Sequence, residues 1–322
     1  MQKKEFALIK KYLKKSSNVF IMGHKDIDLD AFGAAIGMYC YASYHKKEAY
    51  VILDDKKVET GVKKALEAYE EKINIIKSKE IDNLIDNKSL LFIVDVNKEQ
   101  LLQNPNCLSK FNNVIVIDHH DTAKDSINYE NALLFIDNSS SSTCEIITKM
   151  LKNDNYLINS EIATTILAGI VLDTNNFVIK TDADTYYAAY YLGKCGADSR
   201  KVQYLLKQDI KEYIEMQKVI TEVKVIKKIA ISKGLQTRKY RREDLAKIAD
   251  TILLFNNIEA SFVVGKIDKG IGISARSMGN INVGKIMEEF GGGGDNHEAA
   301  ARISDRSLNE MVSEITKIAK KL

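Results

Sequence analysis

Val19-Phe-Ile-Met-Gly-His24-Lys-Asp-Ile-Asp28-Leu-Asp30-Ala-Phe-Gly-Ala-Ala-Ile-Gly37 joins a strand-like run to a helix-like run through a turn crowded with metal-binding types of side chain. Val19–Met22 is short, continuously apolar and β-branched, as suits a strand buried on both faces. The pattern over Asp30–His45 predicts a helix. Four further runs read like the first: Ala49–Leu53, Leu90–Val94, Val114–Ile117 and Leu133–Ile136. With helical patterns such as Val58–Glu71 between them, they predict a βα alternation and a largely parallel sheet.

Working outward, three helices are expected over Ser142–Leu151, Glu161–Leu172 and Asp184–Cys195. Beyond residue 205 the texture changes. A lysine-rich segment leads into Val223–Ser232, then a helix near Arg242–Phe255, then strands at Ala260–Lys266 and Ile271–Ala275. A short helix over Asn282–Phe290 ends in four glycines. Leu308, Met311, Val312, Ile315 and Ile318 mark one face of a closing amphipathic helix. We read residues 1–205 as one α/β domain, 206–225 as a linker and 226–322 as a smaller α+β domain.

Composition narrows the function. Apolar residues make up 45% of the 322, enough for two cores, and the formal net charge is only +3. Nothing therefore advertises a duplex nucleic-acid track. The cluster Arg238, Lys239, Arg241 and Arg242 reads as a solvated edge. Cys40, Cys107, Cys144 and Cys195 are far apart with no CxxC, which points to a reducing cytosol and away from zinc or disulfides. The longest apolar stretch, Thr165–Leu172, is about half of the ~18 residues a membrane span needs. A soluble chain without membrane contact is expected.

The chemistry concentrates at strand ends. The first strand runs into His24, Asp28 and Asp30; the third ends at Asp95, the fourth at Asp118-His119-His120 and the fifth at Asp137. In a parallel sheet these ends share one edge, where open α/β folds bind ligands. A helical segment, Thr164–Leu172, then delivers Asp173. A lone aspartate at a strand end is usually a cap or turn residue, and Asp26 and Asp137 keep that reading. Two histidines and four aspartates together exceed it. A calcium loop over Asp26-x-Asp28-x-Asp30 fails on spacing, since its sixth position would be Ala31 and its twelfth Gly37. His45 reads as a surface residue at a helix end. Asp28, Asp30, Asp95 and Asp173 bring four negative charges together, which would repel and take up protons if left alone. Two divalent cations balance them, and such a pair is the clamp used for in-line phosphoryl displacement. Mixed imidazole and carboxylate donors suit manganese, with cobalt or iron as alternatives.

His24-x-x-x-Asp28-x-Asp30, Ile93-Val-Asp95, Asp118-His119-His120 and Asp173 resemble the four motifs of the DHH phosphoesterase superfamily. Gly291-Gly-Gly-Gly294 with Ala299-Ala300 resembles the DHHA1 domain. Finer features resemble the catalytic module of the GdpP-type cyclic-di-AMP phosphodiesterases. These are the 23–37 segment, Ala168-Gly-Ile-Val-Leu-Asp173-Thr-Asn-Asn-Phe177, Ser274-Ala-Arg276-Ser-Met-Gly-Asn-Ile-Asn-Val283 and Ile286–Gly294. The resemblance implies a Rossmann-like DHH domain followed by a DHHA1 domain, with the active site in the cleft between them. It implies one metal on His24, Asp28 and Asp95 and a second on Asp30, Asp95, His119 and Asp173, with Asp95 bridging and a hydroxide between the ions as nucleophile. His120 would sit beside the scissile phosphate. Arg276 would hold a phosphate, while Gly292, Gly293 and Gly294 would let backbone approach the nucleotide. The family usually places His directly after the glycines. Here Asp295 stands there, with His297 two residues on.

The expected activity is metal-dependent hydrolysis of cyclic-di-AMP to linear pApA, with AMP as a further product. An oligoribonuclease (nanoRNase) or pAp phosphatase of the same superfamily is the alternative. A degenerate nucleotide sensor is a third reading, and the complete ligand set argues against it. The partner expected is a small cyclic or short linear nucleotide, with a homodimer as a further expectation. GdpP-type proteins carry membrane helices and sensory domains ahead of this module, so a cytoplasmic chain is expected, either standalone or the soluble module of an anchored parent.

Overall fold

A computed structural model describes residues 3–54, 58–69, 72–122, 126–127 and 131–322. The chain divides into two compact units, Met1–Lys207 and Gln208–Leu322.

The first unit opens with helix α1 (Lys3–Lys15), then β1 (Asn18–Met22), α2 (Leu29–Tyr44), β2 (Glu48–Ile52), α3 (Thr60–Glu67) and β3 (Ile75–Ile76). There follow β4 (Leu90–Val94), β5 (Asn113–Asp118), β6 (Ala132–Ile136) and helices α4 (Thr143–Asn153), α5 (Ser160–Asp173), α6 (Ala183–Lys194) and α7 (Ser199–Leu205). The six strands lie in the order β3-β2-β1-β4-β5-β6, every neighbouring pair parallel. The chain builds outward from β1 in one direction, then returns to β4 and builds in the other. The reversal opens a crevice beyond the carboxyl ends of β1 and β4, the place where open α/β sheets hold ligands.

Alternate side chains explain the continuous apolar runs. Val19, Ile21, Phe92, Val94, Ile115 and Ile117 pack with α2, α4 and α5 on one face. Phe20, Met22, Leu91, Ile93, Val114 and Val116 pack on the other with Ile81, Leu102, Leu108 and Phe111, which lie on or beside short 3-10 turns. Helix α2 crosses α5 very closely. A Cβ on Gly33 would lie 2.7 Å from Cys144 Sγ, and one on Gly169 would lie 2.9 Å from both Asp30 Cα and Leu29 O. Only glycine permits that approach, and it brings the start of α2 near the end of α5.

The second unit comprises α8 (Ile210–Thr221), β7 (Lys224–Ile226), β8 (Ile229–Lys233), α9 (Arg242–Leu253), β9 (Ala260–Ile267), β10 (Gly270–Ser277), α10 (Val283–Glu288), β11 (Gly293–Gly294), β12 (Glu298–Ile303) and α11 (Leu308–Lys321). Its sheet runs β11-β12-β10-β9-β8-β7, with β8 and β9 parallel and the remaining pairs antiparallel. Phe262 and Val264 face α11, through Met311 and Ile315, while Val263 faces α8 and α9.

The α/β parallel sheet followed by a smaller α+β unit is as the sequence predicts. Several local expectations are corrected. Residues 206–225 hold helix α8, whose Val219 and Ile220 are buried in the core under α9. Its lysines lie on the wet side and disguise the apolar stripe. The Val223–Ser232 stretch holds a hairpin, β7 and β8, turning at Lys227 with φ 53°. Helix α3 is shorter than Val58–Glu71, and residues 70–71 of that expectation lie outside the described residues. His45 is not a bland surface residue: its Nε2 lies 3.3 Å from Asp154 Oδ2, between Tyr41 and Tyr44. Among the described residues no helix is long and apolar enough to cross a membrane.

Candidate metal centre

The turn after β1 begins the site. Asp28 caps α2, its Oδ1 accepting from the amides of Asp30 (2.9 Å) and Ala31 (3.0 Å). His24 donates Nδ1–H to Lys25 O at 2.6 Å, so in its neutral form the lone pair lies on Nε2. That nitrogen lies 3.7 Å from Asp28 Oδ1 and 3.6 Å from Asp95 Oδ2. Both distances exceed a hydrogen bond. A carbonyl on the far ring nitrogen is the usual support for a metal-binding histidine.

Asp95 follows β4 with φ 62°, a left-handed conformation uncommon for a residue other than glycine and often found at functional sites. Its amide donates to Ile117 O at 3.0 Å. One carboxylate oxygen faces His24; the other, Oδ1, lies 3.5 Å from His119 Nε2. His119 Nε2 also lies 3.1 Å from Asp173 Oδ2 at the end of α5, yet this buried nitrogen has no hydrogen-bond partner among the described residues. Asp30, buried at the start of α2, accepts from the amides of Thr143 (2.8 Å) and Cys144 (2.9 Å).

His24, Asp28 and Asp95 thus form one trio of ligand-type atoms, and Asp30, His119 and Asp173 a second. Asp95 faces a histidine of each. The donor set fits divalent cations of the manganese, cobalt or iron kind. So does His119, whose buried Nε2 faces carboxylate oxygens of both Asp173 and Asp95 without a well-formed hydrogen bond among the described residues. The two histidines and four aspartates expected from sequence are all gathered here.

Electrostatics point the same way. Burial raises Asp30 well above the usual carboxylate range, and the charges of Asp95, Asp173 and Asp28 raise it further. Burial likewise raises Asp173, partly offset by His119. Asp95 resists its own burial and is held below the ordinary range by His24, His120 and His119. Burial opposes protonation of His24 and His119, but facing carboxylates lift them to about 12 and about 9. The cluster requires positive charge, from protons or from cations.

His120 sits at the edge of the cluster, its Nδ1 3.7 Å from Asp95 Oδ1. Its Nδ1 pairs with Asp118 Oδ1 at 2.8 Å, and Asp118 also accepts from the amides of His119 and His120. Asp118 is wholly buried while the His120 ring is more than half exposed. The outcome is an oriented imidazole with Nε2 left for another group. Burial lowers its pKa, but the Asp118 hydrogen bond and the Asp95 charge raise it overall.

Sequence reasoning missed Thr143 and Cys144, whose only signal was the Ser139–Thr143 run before a helix. It also missed the groups around Arg276. In the second unit, Arg276 Nε donates to Asp250 Oδ1 at 2.6 Å, and its Nη2 lies 3.7 Å from Glu298 Oε2. Gly293 and Gly294 pair with Ala300 and Ala299, and Gly294 has φ 150°. A Cβ on Gly292 would lie 2.2 Å from Ala300 O, so packing explains that glycine without a ligand. Asp295 Oδ1 accepts from the amides of His297 (2.7 Å) and Glu298 (2.8 Å), closing the turn between β11 and β12. His297 Nδ1 lies 3.3 Å from Ser277 O.

A parallel sheet with a histidine–aspartate cluster at its switch point, followed by a mixed-sheet unit, defines an α/β protein with a candidate two-cation centre. The chain belongs to the DHH family: the family's N-terminal domain matches residues 18–170 and the DHHA1 domain matches 211–321. It is 35% identical over 315 residues to the cyclic-di-AMP phosphodiesterase GdpP of Geobacillus thermodenitrificans, covering 95% of this chain and 48% of that protein. The cyclic-di-AMP phosphodiesterase PdeA of Listeria monocytogenes is 34% identical over 316 residues, with the same shares. The chain therefore spans about half the length of these relatives. The bifunctional oligoribonuclease and PAP phosphatase NrnA of Mycoplasma genitalium is 27% identical over 319 residues, 95% of each chain. Among solved structures, an exopolyphosphatase-related protein from Bacteroides fragilis shares the fold. It has a TM-score of 0.81 at 19% identity, over 99% of this chain and 96% of that one.

Proposed function

We propose that this chain is a hydrolase that cleaves a phosphodiester bond of cyclic-di-AMP, opening the ring to linear pApA. The observation that carries the chemistry is Asp95, whose two carboxylate oxygens face His24 and His119 separately. The choice of substrate rests on the 35% identity to GdpP over 95% of this chain.

In this reading His24, Asp28 and Asp95 hold one manganese ion, and Asp30, Asp95, His119 and Asp173 hold the other, with cobalt or iron as substitutes. Bound there, two divalent cations supply Lewis-acid stabilisation of phosphoryl charge and an acidified water. His24 is fixed in the tautomer that leaves Nε2 available. His120, oriented by Asp118, offers Nε2 to the phosphate and stabilises charge as it develops. Arg276 holds a substrate phosphate with its guanidinium fork, oriented by Asp250 and Glu298. Gly293, Gly294, Asp295 and His297 border the nucleotide. One water is consumed and one P–O ester bond broken, leaving a terminal phosphate and a 3′-hydroxyl.

A second reading has one observation in its favour. The NrnA relative aligns over 95% of both chains, so oligoribonuclease or pAp phosphatase activity is the alternative. Incubating the purified chain and manganese with cyclic-di-AMP, a short RNA and pAp separately, then resolving products by chromatography, tests both. Turnover of cyclic-di-AMP at least tenfold faster than of the linear substrates is expected. Hydrolysis of the linear substrates alone would overturn the cyclic assignment.

A further inference from the structure

The loop before α4 is tied down more firmly than a helix start needs. Ser142 Oγ accepts from the Glu145 amide at 3.1 Å, an ordinary N-cap. Behind it, the fully buried Glu145 turns its Oε2 back to accept from Ser141 N (3.1 Å), Ser141 Oγ (2.6 Å) and Thr185 Oγ1 (2.7 Å). The turn is thereby anchored to its own helix and to α6, and residues 140–145 are all buried.

The first amides of a helix lack partners within it. Here they find Asp30: Thr143 N donates to Oδ2 at 2.8 Å and Cys144 N to Oδ1 at 2.9 Å. The Thr143 side chain turns the other way. Its Oγ1 donates to Asp95 Oδ1 at 2.9 Å. One residue therefore holds a carboxylate of the second trio through its backbone and the shared carboxylate through its hydroxyl.

Asp95 needs that hold. Its φ of 62° is a sparsely populated backbone conformation that persists where the surroundings hold it. Its two oxygens also face different histidines, and the threonine hydroxyl marks Oδ1 as the one turned to His119. We infer that Thr143 is a positioning residue that fixes the spacing of the two candidate cation positions, an inference that rests on the two-cation reading above.

The test is a titration of the metal-free full chain with manganese, followed by calorimetry and by the electron paramagnetic resonance signal of a spin-coupled manganese pair. Wild type is expected to take two ions. Thr143→Val keeps the side-chain shape and removes the hydroxyl. It should bind the first ion as wild type does, bind the second about ten- to a hundredfold more weakly, and lose the coupled signal. Thr143→Ser should restore both. Equal affinity for the two ions in Thr143→Val, or a Thr143→Ser as weak as Thr143→Val, would overturn the inference. If circular dichroism shows that Thr143→Val does not fold, Thr143→Ala replaces it against Thr143→Ser, with the same two outcomes. A wild-type chain that takes fewer than two ions refutes the two-cation reading itself, whatever the variants do.

Discussion

Gly169→Ala should destabilise the first unit although alanine is the better helix former. In an open helix the exchange would gain about 1 kcal/mol. At Gly169 the new Cβ would lie 2.6 Å from Cys144 Sγ and 2.9 Å from Asp30 Cα and Leu29 O. Two of those atoms are backbone of the neighbouring helix and cannot swing aside. Helices α2 and α5 must part, and overpacking of this kind costs about 1–3 kcal/mol. Because those atoms cannot yield, the cost falls at the upper end of that range, about 2–3 kcal/mol, so the net loss is about 1–2 kcal/mol, which lowers the melting temperature of a unit this size by roughly 2–8 °C. Gly193 supplies the control: it lies in α6, and a Cβ there would meet nothing within 4 Å. Gly193→Ala should therefore stabilise by about 0.5–1 kcal/mol. Urea unfolding of the two variants beside wild type reads both signs. The crossing also separates Asp30 from Asp173, so Gly169→Ala should weaken manganese binding while Gly193→Ala leaves it alone. A Gly169→Ala protein as stable as wild type would show that α2 and α5 are not in this contact.

The remaining predictions concern charge. Asp95→Ala should abolish manganese-dependent hydrolysis while the circular dichroism spectrum stays native, and retention of a tenth of the wild-type rate would remove its shared role. His119 rises from 6.5 to about 9 on folding, so its protonated form stabilises the metal-free fold in full below 6.5 and stops doing so as pH climbs through about 9. The urea midpoint of metal-free protein should fall over that window, whereas manganese affinity should rise because ligands must lose protons; parallel trends would contradict the assignment. Asp295→Asn keeps the turn acceptor but removes a charge that would repel a phosphate monoester, so kcat/KM should improve on pAp relative to cyclic-di-AMP with stability unchanged. A constant ratio would confine Asp295 to its turn.

How much of this was legible follows from what each residue needs. Runs such as Leu90–Val94 announce themselves because both faces of their sheet are covered, so every position is apolar. Strands β3 and β11 have two residues each and carry no period to read. Helix α8 hides its apolar stripe among lysines, and α1 does the same at the other end of the chain. The metal-type ligands were legible because chemistry restricts them to histidine and aspartate at strand ends. Their supports were not. Thr143 looks like one more residue of a capping run, and Asp154, which engages His45, is 109 residues away in sequence. Asp295 stands where the family usually has histidine, and its hydrogen bonds to the His297 and Glu298 amides give it a turn role that the sequence does not announce.

A cluster that gathers four aspartates at a sheet's switch point works against the stability of its own fold. Asp95 adds backbone strain, and Asp30 is pushed far from its ordinary pKa by burial and by its neighbours' charges. Such conflicts persist only where the surroundings over-determine them. Here the surroundings are identifiable: amides of α4 on Asp30, a threonine hydroxyl on Asp95, and a glycine crossing that no larger residue could make. Each of these supports acts before any cation arrives, since each is a protein–protein contact. The scaffold is therefore preorganised, and binding of divalent ions would relieve charge repulsion in a site already shaped for them rather than having to assemble it. That is the arrangement expected where the geometry of a phosphoryl-transfer site must be held within a fraction of an ångström.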